Sequence, residues 1–95
     1  MDVDQLGDEP VAAAQRRLRK VEGQVRAIQR MIDDGRDCED VLRQIAAATK
    51  ALKGVGVQLA VTGLEHCVID GAADSDAEET TADLERFRRS FVELA

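Results

Sequence analysis

The two cysteines of the chain, Cys38 and Cys67, are joined by a stretch of apolar, small and a few charged residues that contains no proline. Such a stretch predicts one long helix that begins near Cys38. Gly54 and Gly56 in "KGVG" leave an alternative, because each glycine costs about 1 kcal/mol in a helix interior and a break there would form a hairpin. No Pro, Asn or Asp stands at that point to specify a turn, so the continuous helix is favoured.

Apolar residues at three- and four-residue steps predict a further helix on each side of the long one, and hence an all-α fold. The first helix is expected over residues 11–34, with Gly35 as its C-terminal cap. Asp37 is the expected cap of the long helix, and a short third helix is expected to follow the candidate caps Ser75 and Asp76. The predicted apolar faces comprise Leu18, Val21, Val25, Ile28 and Ile32, then Val41, Leu42, Ile45, Ala48, Leu52, Val55 and Leu59, then Leu84, Phe87, Phe91 and Leu94.

The composition is typical of a soluble single domain, with 44% hydrophobic and 34% charged residues in a chain of 95. With two Phe and no Trp or Tyr, each core side chain buries a modest area, and a monomer of this size buries only about two-thirds of its unfolded surface. Oligomerisation is therefore an expected source of core. We expect residues 1–10 to form an acidic disordered arm and residues 11–95 a single helical domain. Without a membrane span or the apolar run of a signal peptide, we expect a cytoplasmic protein with reduced or metal-bound cysteines.

The net charge of -6 is distributed unevenly along the chain. Acidic residues collect in residues 1–10 and 70–85, whereas residues 11–30 contain a single acid, Glu22. The basic residues of residues 11–30, here called the basic stripe, are Arg16, Arg17, Arg19, Lys20, Arg26 and Arg30. A cluster of positive charge on one helix is typical of a nucleic-acid-binding surface, and a solvated helix face is the competing interpretation.

The spacing of Cys38 and Cys67 predicts how two copies of the chain pair. At about 100° and 1.5 Å per residue, their separation amounts to about eight turns, so the thiols share a face but lie about 43 Å apart. Two such helices packed antiparallel about an axis near Leu52 and Lys53 place Cys38 of one chain beside the second cysteine of the other, twice. The spacing therefore predicts a symmetric dimer with two intersubunit thiol pairs.

The segment "RRLRKVEGQVRAIQRMIDDGRDCEDVLRQIAAATKAL" and the later "GLEHC" resemble the CsoR/RcnR family of bacterial transcriptional repressors, over roughly residues 15–70. The resemblance implies an all-helical subunit, an antiparallel dimer on the long second helix, and a dimer-of-dimers tetramer that binds operator DNA. The residues expected to contact DNA are Arg16, Arg17, Arg19, Lys20, Gln24, Arg26, Lys50 and Lys53. Gly54 departs from the family pattern, because several relatives have a basic residue at that position, and Lys53 is expected to substitute for it.

Within this family, the residues around the second cysteine distinguish what is sensed. Copper(I)-sensing members have cysteines matching Cys38 and Cys67 and a histidine at the position of Gly63, which completes a three-coordinate site. Nickel-, cobalt- and formaldehyde-sensing members lack the second cysteine. The chain therefore most resembles the CstR-like persulfide-sensing branch, with two sensor thiols, no metal and no cofactor. His66 projects about 100° away from Cys67 around the helix and is expected to be a surface or interface residue.

This resemblance implies a mechanism in which the reduced tetramer binds operator DNA and represses transcription, and a persulfide causes it to release the DNA. Cys38 attacks the outer sulfur of a persulfide, and Cys67 of the partner subunit then closes a di- or polysulfide bridge, which releases operator DNA. Two alternatives stay open, namely a copper(I)-sensing repressor of the same family and a helical adaptor without a DNA role. A thiol peroxidase is disfavoured because no activating partner other than His66 stands beside either thiol, and no enzymatic activity is expected.

Overall fold

The computed structural model describes the backbone of residues 1–73 and 77–94 and the side chains of residues 1–69, 81–82 and 84–94. Every element within those residues is helical: a 3₁₀ helix, Val3–Leu6, and three α-helices, α1 (Asp8–Asp33), α2 (Cys38–Ala73) and α3 (Ala77–Leu94). The predicted all-α fold with three α-helices is confirmed for this part of the chain. The candidate caps Ser75 and Asp76 lie outside the described residues.

The first α-helix begins earlier than its apolar pattern predicts. Residues 1–10, expected from the sequence to form a disordered arm, contain the 3₁₀ helix and the first three residues of α1. Asp8 and Glu9 lie in the first turn of α1, where the helix dipole favours negative charge. Pro10 is tolerated in the same turn, because the first N–H groups of a helix have no intrahelical partner. These residues extend α1 to Asp8, ahead of the expected start at residue 11.

A tight turn at Gly35 joins α1 to α2. Gly35 has a φ of 66°, which favours glycine, and the N–H of Arg36 donates to the carbonyl oxygen of Met31 at 2.9 Å. These contacts close the last turn of α1 after its C-cap residue Asp34 and confirm Gly35 as the glycine that ends the helix. On the other side, the carbonyl oxygen of Asp37 accepts a hydrogen bond from the N–H of Val41 at 3.1 Å, which begins α2. The turn reverses the chain, so α1 and α2 pack antiparallel.

The second α-helix runs without interruption for 36 residues, from Cys38 to Ala73. Gly54 and Gly56 both lie inside it, so the prediction of a continuous helix is confirmed and the hairpin alternative is wrong. Gly56 lies where α3 approaches α2 closely, because an added Cβ there would be 2.7 Å from Cδ2 of Leu94. The packing of α3 thus offsets part of what this glycine costs the helix.

The three α-helices form a thin slab rather than a bundle with a central core. α1 and α3 each pack along α2 and, among the residues that the structure describes, do not contact each other. The principal extents of the backbone are 59, 25 and 13 Å. Over the same residues, no helix combines the length and the apolar composition that a membrane crossing requires.

Among the side chains that the structure describes, few are buried in this slab, and those that are buried are small. They are Ala14, Val21, Ala48, Val55 and Cys67. Three larger residues of the predicted apolar faces, Leu42, Ile45 and Leu52, are instead 58%, 42% and 50% exposed. These three residues lie along the first half of α2 and are here called the apolar α2 face. A single subunit therefore leaves uncovered an apolar surface that a larger core would bury.

Candidate thiol site and nucleic-acid interface

The two cysteines lie at opposite ends of the same face of α2. Cys38 is the first residue of α2 and is exposed, whereas Cys67 lies about eight turns later and is only 5% exposed. With a rise of about 1.5 Å per residue, the helix holds the two thiols about 43 Å apart. A single chain therefore cannot join them, and neither is in a disulfide.

The third α-helix covers the face of α2 that carries Cys67. An added Cβ at Gly63, one turn before Cys67, would lie 2.5 Å from Cε1 of Phe87, and the corresponding distance from Gly56 to Leu94 Cδ2 is 2.7 Å. Gly56 and Gly63 are seven residues apart, as are Phe87 and Leu94, so the two contacts define one antiparallel register. The same register places Cys67 beside the turn of α3 that contains Leu84, which accounts for the burial of the thiol.

The residues of one subunit do not form a three-donor metal site. Among the described side chains, no group of three or more His, Cys, Asp or Glu residues lies close enough to hold a metal ion. Gly63 supplies no donor at the position where copper(I)-sensing members are expected to have histidine, and the ring of Phe87 fills the adjacent space. His66 is half-buried beside Cys67. Cys38 and Cys67 from two subunits would thus provide two sulfur donors. A copper(I) site built from two thiolates and an imidazole would still lack its imidazole.

The basic stripe follows the exposed side of α1. All six of its residues are exposed, as are Lys50 and Lys53 on α2, whereas Gln24 is half-buried. Arg16 pairs with Glu9 at 2.9 Å, and Arg26 lies 4.0 Å from Glu22, so two of the predicted DNA contacts face carboxylates of the same helix. Exposed ion pairs of this kind contribute little to stability and exchange readily for other anions.

Three of the predicted DNA contacts meet at the seam between α1 and α2. Arg17, Lys20 and Gln24 line a cavity of about 350 Å³ together with Val21 and with Ala51 and Gly54 of α2. Oε1 of Gln24 is buried there without a hydrogen-bond partner within the described residues. Lys50 and Lys53 do not line this cavity. The space beside Gly54 is empty, because an added Cβ at Gly54 would meet no atom within 4 Å.

The structure also identifies two residues that the sequence analysis does not single out. Nη1 of Arg17 donates a hydrogen bond to Oε1 of Gln58, which joins the basic stripe to α2. Phe87 is predicted only as an apolar residue of the third helix, yet its ring contacts the helix turn before Cys67. Spacing along one helix cannot reveal either contact, because each depends on the register between two helices.

The basic stripe, exposed on α1 beside the seam cavity, is typical of a nucleic-acid-binding surface. A family model described as "Metal-sensitive transcriptional repressor" matches residues 11–90, and the chain belongs to this family. The predicted resemblance to CsoR and its relatives is thereby confirmed, whereas the CstR-like branch is not.

Three relatives illustrate the range of the family. The copper-sensing transcriptional repressor RicR of Mycobacterium tuberculosis is 44% identical over 81 residues, which cover 79% of this chain and 84% of the relative. The copper-sensing transcriptional repressor CsoR of Bacillus subtilis is 41% identical over 68 residues, or 72% of this chain and 67% of the relative. An uncharacterized protein in the bioA 5' region of Serratia marcescens is 34% identical over 77 residues, which cover 80% of this chain and 85% of the relative. The two relatives with a stated function are transcriptional repressors.

Proposed function

We propose that the protein is an operator-binding repressor that senses persulfides and related reactive sulfur species through Cys38 and Cys67 of the partner subunit. The observation that carries this proposal is the position of the two thiols on one face and at opposite ends of an unbroken helix. The absence of a donor at Gly63 supports sulfur exchange, which requires two thiols and no third ligand. Because a repressor acts where its operator lies, we expect it in the cytoplasm.

The assembly we propose is an antiparallel dimer on α2, which pairs further into a tetramer. The apolar α2 face supports it, because Leu42, Ile45 and Leu52 leave a stripe that a second copy of α2 covers in an antiparallel arrangement. The two-fold axis then passes near Leu52 and brings each Cys38 to the end of the partner's α2 that carries Cys67, where α3 of that subunit must separate from α2 before the two thiols meet. Burial of this stripe also supplies the core that the single slab lacks.

The DNA-binding surface we propose is the basic stripe with the seam cavity at its centre. Arg17 and Lys20 flank Gln24, whose buried Oε1 has no hydrogen-bond partner among the described residues. Arginine and lysine side chains on one exposed face neutralise DNA phosphates and release the counterions bound to them. Lys50 and Lys53, exposed on α2, extend the positive surface beyond the seam.

The sensing chemistry is a pair of sulfur exchanges. The exposed thiolate of Cys38 attacks the outer sulfur of a persulfide R–S–SH, the S–S bond between its inner and outer sulfurs breaks, RS⁻ leaves, and Cys38 becomes a persulfide. The thiolate of Cys67 of the partner subunit then attacks the inner sulfur and displaces hydrosulfide, which forms a disulfide. The persulfide donor is the oxidant, and the sum is R–SSH and two thiols giving RSH, H₂S and one disulfide. When both thiols are already persulfides, the same displacement leaves a trisulfide.

Release of the operator requires that the bridge favour one arrangement of the assembly over another. A covalent link between the ends of two α2 helices fixes their relative position, and the Arg17–Gln58 contact connects α2 to the basic stripe. The bridge therefore acts on DNA binding only to the extent that the two arrangements differ in free energy when it is closed.

Copper(I) is the second candidate inducer, and the two named relatives favour it because both are copper-sensing repressors, 41% and 44% identical to this chain. An anisotropy titration of the operator-bound protein with copper(I) and, separately, with an organic persulfide decides between them. We expect release by the persulfide, reversal by a reducing agent, and little release by one copper(I) per thiol pair. Release by stoichiometric copper(I) without a response to persulfide would establish the copper-sensing alternative.

A further inference from the structure

Position 63 of α2 is a glycine with no room for a side chain. An added Cβ there would lie 2.5 Å from Cε1 and 2.6 Å from Cζ of Phe87, and Cβ atoms in proteins essentially never approach a neighbour that closely. Even a methyl group at position 63 therefore requires Phe87, or the whole of α3, to move. An imidazole is larger than a methyl group and requires a larger displacement.

We infer that Phe87 is the specificity-determining residue of the thiol site, because its ring excludes a third donor from the turn of α2 beside Cys67. This inference rests on the proposed role of Cys67 as a sensor thiol. A third donor, a nitrogen, raises the affinity of a site with two thiolates for copper(I). Sulfur exchange between two thiols does not need a nitrogen donor. A glycine at position 63 together with a phenylalanine at position 87 thus restricts the site to two sulfurs.

The same packing sets the order in which the thiols react. Cys67 is 5% exposed beneath α3, while Cys38 is exposed at the beginning of α2. A persulfide arriving from solvent therefore meets Cys38 first. Cys67 becomes available only when the turns of α3 that contain Leu84 and Phe87 separate from α2, and this opening costs the contacts of the Phe87 ring.

The first experiment measures copper(I) affinity by competition with a colorimetric chelator, using the full-length protein and three variants. The variants are Gly63→His, Phe87→Ala and the double variant. We expect Gly63→His alone to leave the affinity close to that of the parent, and the double variant to bind copper(I) about tenfold more tightly or better. An equal gain in Gly63→His alone would overturn the inference, because Phe87 would then exclude nothing.

A matched control comes from the second close contact between α2 and α3. Gly56→His with Leu94→Ala makes the same exchange at an equivalent position about two turns farther from Cys67, and we expect no gain in copper(I) affinity from it. A gain equal to that at position 63 would contradict a specific role for Phe87.

Circular dichroism checks that each variant is helical. If Gly63→His does not fold, Gly63→Ala with and without Phe87→Ala replaces it in a stability cycle, and additive effects would overturn the inference.

The second experiment is independent of sulfur sensing and of DNA. The rate at which iodoacetamide alkylates Cys67 is measured in a Cys38→Ala background, with Phe87→Ala and with Leu94→Ala as its control. We expect Phe87→Ala to accelerate alkylation by about tenfold and Leu94→Ala to change it less, because only Phe87 lies over the turn beside the thiol. Equal rates in the two variants would overturn the inference. A response of operator binding to copper(I) alone would refute the proposed function and leave this result unchanged.

Discussion

Arg17 of α1 donates a hydrogen bond from Nη1 to Oε1 of Gln58 on α2, 41 residues further along the chain. The contact connects a predicted DNA-binding side chain to the helix that carries both cysteines. Gln58 lies between the exposed Cys38 and the buried Cys67 along α2. A change in the position of α2 relative to α1 therefore alters the direction in which the Arg17 guanidinium points.

Replacing Gln58 by glutamate tests this connection. A carboxylate at position 58 forms an ion pair with Arg17 and repels the DNA phosphate that competes for the same guanidinium. Exposed pairs of this kind contribute about 0.2–1 kcal/mol, so we expect Gln58→Glu to weaken operator binding by up to about fivefold at low salt. The control is Gln58→Leu, which leaves Arg17 without a competing charge. Anisotropy titrations that show equal weakening for both variants would contradict the expected effect.

Neutralising Arg17 together with Lys20 tests the basic stripe as the DNA interface. We expect the double alanine variant to bind operator weakly and to show a shallower dependence of affinity on salt, by about 0.9 in the log–log slope for each phosphate that is no longer neutralised. The control is the pair Arg88→Ala and Arg89→Ala on α3, which removes the same charge from residues that contact Glu85. If the two pairs change the slope equally, net charge and not the stripe determines the affinity.

Substitution in the apolar α2 face tests the assembly. We expect the unaltered protein to have a solution mass near four chains of 10.4 kDa each, measured by light scattering. Ile45→Asp with Leu52→Asp buries two charges in the proposed interface and should reduce the mass and the thermal stability together. Ala47→Asp, on the opposite side of the same helix, is the control and should keep the mass. An unaltered protein that remains a monomer would exclude the proposed tetramer.

Single cysteine variants separate the two sulfur-exchange steps. With a persulfide donor, we expect the unaltered protein to form reducible dimers joined by a disulfide or, with one added sulfur, a trisulfide, detected by intact-mass spectrometry, and to release operator DNA. Cys38→Ala should abolish both effects, because the exposed thiol is the one that reacts first. Cys67→Ala should gain sulfur at Cys38 without forming a bridge. Crosslinking in the Cys67→Ala variant would show that the partner thiol is not Cys67.

The sequence predicts the helices well because their signals are local. Apolar spacing and the absence of proline predict α2 as one helix, and Gly35 is recognisable as the cap of α1. The start of α1 is missed, because Asp8 and Glu9 favour a helix through charge and not through apolar periodicity. Val25 and Ile32 are predicted on an apolar face yet are 46% and 60% exposed, because a face that is apolar need not be covered within one subunit.

The candidate site is only partly predictable for a different physical reason. The thiol spacing and the basic stripe each follow from residues on one helix and are read directly from the sequence. The contacts of Arg17 with Gln58 and of Phe87 with the Gly63 turn depend on how two helices are aligned. Nothing in the pattern of either helix alone fixes that alignment, because apolar periodicity gives the face that a helix buries and not its register against a neighbouring helix.

The matched spacing of Gly56 with Gly63 and of Phe87 with Leu94 gives α3 one well-packed register on α2. A register shift of α3 by one residue turns both bulky side chains about 100° away from their glycines, and a shift by one heptad, or about two helical turns, realigns only one of them. Other registers therefore lose at least one of the two close contacts, and α3 packs well on α2 in one register only. The exposure of Cys67 is therefore controlled locally by the Phe87 contact, while the Leu94 contact, about two turns farther along α2, keeps α3 in register.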